Sequence, residues 1–102
     1  MGNYLFDQYT FLHFSVGVIV YYWGVSLPTW IMAHVLFEIV ENTKIGMLLI
    51  NKYFVFWPGG KPKADSLTNI IGDNIGAILG WLVARYLDKL GSKLGWYQPH
   101  IK

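Results

Sequence analysis

Asp65-Ser-Leu-Thr-Asn-Ile-Ile-Gly-Asp-Asn-Ile-Gly76 opens an apolar run that continues to about Leu87, and its first turns carry Asp65, Asn69 and Asp73. A second apolar stretch, Ala33-His-Val-Leu-Phe-Glu-Ile-Val-Glu41, carries His34, Glu38 and Glu41. Ionised groups are costly inside a bilayer, so a run of bilayer length that holds them marks a site. The two stretches therefore decide both readings of the chain, as a membrane protein and as one with a polar centre.

Composition supports the first reading. The 102 residues are 54% hydrophobic and only 14% charged, against roughly 25% charged in soluble domains. No formally charged side chain occurs from Gln8 to Phe37. A soluble chain this short could not bury so much apolar surface in one core. Of the aromatics, Tyr4, Phe6, Tyr9, Tyr21, Tyr22, Trp23, Trp57, Tyr86, Trp96 and Tyr97 fall near expected helix ends, where Trp and Tyr sit at the headgroup level. The net charge of +2 and the dispersed lysines give no nucleic-acid surface. With no cysteine, disulfides, thiolate metal sites and thiol nucleophiles are excluded. The first helix has no basic n-region or cleavage site and is read as retained. Met1-Gly2 opens like a myristoylation signal, but Phe6 stands where Ser or Thr is needed.

The expected fold is all-α: a single polytopic membrane domain, integral and multi-pass, with three transmembrane helices over about residues 10–26, 27–43 and 65–87. A span needs about 20 mostly apolar residues. Gly24-Val-Ser-Leu-Pro28 makes the first turn, with Pro28 suited to the first turn of a helix. Asp65 or Ser66 is the N-cap of the third span. The apolar run 45–57, broken by Asn51 and Lys52, is too short to cross and is expected at the interface or as a re-entrant segment. Lys44, Lys52, Lys61 and Lys63 would face one side, called near, and Arg85, Lys89, Lys93 and Lys102 the other. This tie leaves the orientation open.

Helical spacing tests whether the polar residues face one another. His34, Glu38 and Glu41 fall within an arc of about 60°, and Asp65, Asn69 and Asp73 within about 80°. On the first helix His13 shares a face with Gly17 and Gly24. Counted inward from the near side, Glu41 lies ~3 Å deep, Glu38 ~7 Å and His34 ~13 Å. On the third helix Asn69 lies ~6 Å and Asp73 ~12 Å deep, with His13 at ~5 Å on the first. Three tiers follow: Glu41 with Asp65, Glu38 with Asn69 and His13, His34 with Asp73. The expectation is a polar cleft open to the near side and closed at about the midplane. Plainer roles stay open for His13 as a packed residue, Asp65 as a cap and Glu41 as a solvated acid. Gly72, Gly76 and Gly80 form a small-residue strip expected to seat the third helix within its own bundle.

Phe37-Glu-Ile-Val-Glu-Asn42, Ile50-Asn-Lys-Tyr53 and the Asp65–Gly76 stretch together resemble the VanZ-like superfamily of small membrane proteins. The match is to a bacterial branch with Glu-x-x-Glu-Asn and Asp-Ser-x-x-Asn-x-x-Gly-Asp motifs. It covers roughly residues 30–87, with Phe37 for a tryptophan, Ala64 for a glycine and Lys52-Tyr53 keeping part of a basic-aromatic element. The resemblance implies functional positions at Glu38, Glu41, Asn42, Asp65, Ser66, Asn69 and Asp73 and supplies no chemistry.

Three functions compete. The first is a membrane enzyme or headgroup-binding protein, with Glu38 and Asp73 as metal ligands and catalytic candidates beside His34. Glu41, Asn42, Asp65, Ser66, Asn69 and His13 would then bind ligand. Oxygen and nitrogen donors suit a divalent cation such as Mg, Mn or Zn, and the basic loop suits an anionic lipid headgroup. The second is a structural or assembly subunit, packed against membrane protein partners, a second copy of itself or an enveloped particle. The third, an ion conductor, needs polar residues that continue past the midplane, and none do.

Overall fold

The computed structural model describes residues 3–53 and 63–96. They form four helices: α1 Gln8–Tyr22, α2 Leu27–Glu41, α3 Lys44–Lys52 and α4 Leu67–Leu94, with no strand among the described residues. The all-α expectation holds.

Each boundary has a local cause. Asp7 caps α1, accepting from the amides of Tyr9 and Thr10, while Thr10 Oγ1 accepts from the Asp7 amide at 3.0 Å. That cap starts α1 two residues ahead of the expected Thr10. Gly24, at φ 83°, turns the chain in a conformation that disfavours a Cβ, so α1 ends at Tyr22 and not Ser26. Ser26 then caps α2, with Pro28 in its first turn. Thr43 caps α3 through a 3.0 Å bond from the Gly46 amide. Of the two candidate caps for α4, Ser66 takes the role. Asp65 is thereby left for other contacts.

Two further differences lie downstream of α2. The segment after α2 is a nine-residue helix that includes Asn51 and Lys52; residues 54–57 of the expected 45–57 element lie outside the described residues. α4 runs on to Leu94, because no breaker interrupts it until Gly95, whose φ of 72° ends it in the left-handed form. Among the described helices α4 is the one long and apolar enough to cross a membrane. At ~1.5 Å per residue, α1 and α2 each reach about 22 Å, short of a hydrocarbon core of ~30 Å.

α4 packs chiefly on α1, with α2 against α4 and α3 folded back on the end of α2. The contact between α1 and α4 is backbone to backbone. A Cβ at Gly80 would fall on the carbonyl of Phe14, one at Gly72 on that of Leu5, and one at Gly17 on that of Ala77. A Cβ at Gly76 would meet the Thr10 side-chain methyl first and then its carbonyl. The small-residue strip thus works within the bundle, as its face predicted. Val20, Trp30, Ala77 and Trp81 form the apolar core at one end.

The remaining burial is inverted. The largest fully buried side chains are Glu38, Asn69 and Asp73, while Phe11, Met32, Leu36, Ile39, Val40, Ile71 and Leu79 are exposed. Charged groups are almost never fully buried unless paired, so the polar centre must supply its own partners.

Gly80→Ala and Gly72→Ala are each expected to lower stability by about 1–3 kcal/mol through overpacking, read by thermal unfolding in detergent. Variants as stable as the parent would contradict the backbone contact between α1 and α4.

Candidate functional site

The centre is assembled by three helices. α1 contributes Thr10 and His13, α2 contributes His34, Glu38 and Glu41, and α4 contributes Asn69, Asp73 and Asn74. Glu38 is 0% and Asp73 2% exposed. His13 stands between them: its Nε2 lies 3.4 Å from Glu38 Oε1 and 3.4 Å from Asp73 Oδ2. Thr10 Oγ1 donates to Asp73 Oδ1 at 3.1 Å. Carboxylate oxygens of Glu38, Asp65 and Asp73 lie within 4.8 Å of one another. A second set, His13, His34 and Glu38, meets the same limit. The first set offers oxygen donors alone and the second nitrogen and oxygen, both at a spacing that could hold a cation.

Hydrogen bonds behind the centre set which nitrogen of His13 faces it. Asn74 Nδ2 donates to the Ile70 carbonyl at 3.0 Å, which turns Asn74 Oδ1 toward His34 Nδ1, 2.7 Å away. His34 Nδ1 is therefore the protonated nitrogen, and in a neutral ring Nε2 accepts. The partner of that Nε2 is His13 Nδ1 at 2.8 Å, so His13 donates there. A neutral His13 then presents the lone pair of Nε2 to the two carboxylates.

Helix ends hold the rim. Asn42, at the C-cap of α2, donates to Glu38 Oε2 at 3.3 Å and to the Glu38 carbonyl at 2.8 Å. Its Oδ1 accepts from the Asp65 amide at 2.8 Å, which draws the approach to α4 onto α2. Asn69 Nδ2 donates to the Tyr4 carbonyl at 2.8 Å and to Asp7 Oδ2 at 3.2 Å. At the other end Trp30 packs edge-on to His34 at 5.0 Å and donates from Nε1 to the Ala77 carbonyl at 3.0 Å. An indole and the apolar core thus close the floor.

The expected tiers are shifted by one step. Glu38 meets His13 as expected. Asp73, expected opposite His34, shares the level of Glu38 and Asp65, and His34 reaches it through His13. The reason is partly the start of α4 at Leu67, which leaves Asp73 closer to the helix end than a count from Asp65 implies. Asn69 turns to Tyr4 and Asp7, Ser66 is a cap, and Glu41 is buried on the Glu38 face of α2. Three participants were not identified from sequence: Asp7, Thr10 and Asn74. Asn74 lies about 100° from Asp73 on the helix, an offset that turns one residue to α2 and the other to α1. Asp7 and Thr10 carried a readable signal, the capping box Asp-x-x-Thr.

No family model, curated protein or solved structure matches the chain.

Nitrogen NMR of the histidine rings should show both His13 and His34 with the proton on Nδ1. Asn74→Leu removes the acceptor and should redistribute the His34 tautomers, with a loss of about 1–3 kcal/mol for the buried donor left behind. A wild-type His34 protonated on Nε2 would contradict the relay.

Proposed function

We propose that this chain is a VanZ-like integral membrane protein, crossing the bilayer three times, whose His13–Glu38–Asp73 centre binds a divalent cation. The observation that carries the cation is His13 Nε2 held 3.4 Å from each of two buried carboxylates. Electron-pair donors converge in this way on a proton or a metal ion. Two ligands on one tetrahedral zinc, each bonded at ~2.1 Å, lie about 3.4 Å apart, and His13 Nε2 stands 3.4 Å from both Glu38 Oε1 and Asp73 Oδ2. Mixed imidazole and carboxylate donors suit zinc or manganese. Asp65 is the further carboxylate within reach.

Inverted burial supports the membrane. Lipid accepts the exposed apolar faces of α1, α2 and α4, and it explains why helices pack through glycines. α1 and α2 are short for a span, so their ends would lie at headgroup depth, with α3 along the interface on its apolar face. The centre would then open near one leaflet, where an anionic headgroup completes the coordination and Lys44 and Lys63 add positive charge. Any chemistry at such a site would use Glu38, Asp73 and the His34–His13 pair for ligation and proton movement.

The structural reading rests on the same hydrogen bonds, which tie three helices together. Elemental analysis separates the two. Protein purified without chelator should carry about one equivalent of metal, and Glu38→Gln and Asp73→Asn should each lose it while staying inserted and folded. Amides that are tolerated in a metal-free protein would favour a structural role.

For the topology, single cysteines at Asn42 and Lys63 should label from the same side of the membrane. Labelling from opposite sides would add a crossing between α3 and α4 and refute the three-span arrangement.

A further inference from the structure

The opposite end of the bundle, where α1 turns into α2, holds a separate cavity. It has a volume of about 290 Å³ and is walled by Tyr21, Tyr22, Trp81 and Asp88 and by the backbone turn at Gly24. That is the liquid volume of about ten waters. We propose that this cavity binds the quaternary ammonium of a phosphocholine group. The proposal does not depend on the cation centre.

The walls are rings set at right angles. Tyr21 meets Tyr22 at 5.0 Å between centroids and 87°, and meets Trp81 at 5.3 Å and 85°. Rings in edge-to-face contact leave their uncovered faces turned in different directions, and aromatic cages hold methylated ammonium groups on such faces. Hydrogen bonds fix the cage in advance. Tyr21 Oη donates to Asp88 Oδ2 at 2.7 Å, and Trp81 Nε1 donates to the Val25 carbonyl at 2.8 Å. Pre-set walls lower the cost of ordering on binding.

Charge selects the occupant. Asp88 places a carboxylate in the wall, which attracts a cation and repels an anion. Three methyl groups on nitrogen fit ring faces, whereas a primary ammonium would give up water hydrogen bonds that rings replace poorly. Arg85 carries its guanidinium 5.9 Å from the centroid of Trp81, so one face of this ring already accommodates a cation. Arg85 is exposed and stands over the indole, one helical turn before Asp88. From there it can donate two parallel hydrogen bonds to a phosphate. A carboxylate inside and a guanidinium at the rim match a zwitterion with the ammonium inward and the phosphate outward.

The group could arrive on a lipid or as a soluble phosphocholine. The test uses protein in a choline-free detergent, titrated calorimetrically with phosphocholine and phosphoethanolamine. Native mass spectrometry then follows the same protein in micelles holding equal phosphatidylcholine and phosphatidylglycerol. Phosphocholine should bind about tenfold more tightly than phosphoethanolamine. Asp88→Asn, which keeps the acceptor for Tyr21, and Tyr22→Leu should each weaken it by about fivefold or more, with helical content unchanged by circular dichroism. If Tyr22→Leu does not fold, Asp88→Asn decides. A retained phosphatidylcholine adduct assigns the site to a lipid; binding of soluble phosphocholine without that adduct assigns it to a free metabolite. Either result supports the proposal. No binding of either probe, equal binding of phosphoethanolamine, or wild-type affinity in Asp88→Asn would overturn it.

Discussion

Glu38 and Asp73 are buried on different helices with one imidazole between them, and the rest of the molecule is arranged around that fact. Moving a carboxylate out of water is expensive unless it is paired or bound. Here both carboxylates converge on His13, which reaches Asp73 only because α1 and α4 touch at their backbones. Gly17, Gly72, Gly76 and Gly80 make that approach possible. Larger residues at these positions would push α1 outward and carry Thr10 and His13 away from Asp73. The glycine strip and the polar centre are two aspects of one packing solution.

Helix capping serves the same end. Asp7 starts α1 and also accepts from Asn69 of α4. Asn42 ends α2, holds Glu38 and receives the Asp65 amide. Side chains that terminate helices thus orient the carboxylates as well. The turn at the other end works differently: Trp30 donates to the Ala77 carbonyl of α4 and Trp81 to the Val25 carbonyl in the turn, so indoles seal the floor. One end of the bundle is polar and convergent; the other is aromatic, with Asp88 lining its cavity.

The helices and the inward faces were legible because both follow from period and composition. His34, Glu38 and Glu41 share a face at any plausible boundary, and their burial required only that the face turn inward. Depth was less legible. Counting rise from each helix end treats the helices as parallel rods with known starts, and the capping residues that set those starts act over one or two positions. That is enough to move Asp73 from the level of His34 to that of Glu38. The extension of α4 to Leu94 was missed because charged residues after Leu87 ended the apolar run without ending the helix. Asn74 leaves the Asp73 face, and a helix packed between two others needs two polar faces.

That second face determines what the centre can hold. Glu38, Asp65 and Asp73 bring three carboxylates within 4.8 Å, and each pair of full charges at that distance repels by about 3 kcal/mol at an effective dielectric near 20. One proton on His13 offsets a single charge; a divalent cation offsets two and still accepts the His13 lone pair as a ligand. For that lone pair to face inward, the proton of His13 must sit on Nδ1, which requires an acceptor at His34 Nε2. Such an acceptor exists because Asn74 Oδ1 holds the His34 proton on Nδ1, and Asn74 is turned that way by the Ile70 carbonyl of its own helix. The choice of nitrogen at the centre is therefore made by the α4 backbone, through Asn74, His34 and His13 in turn.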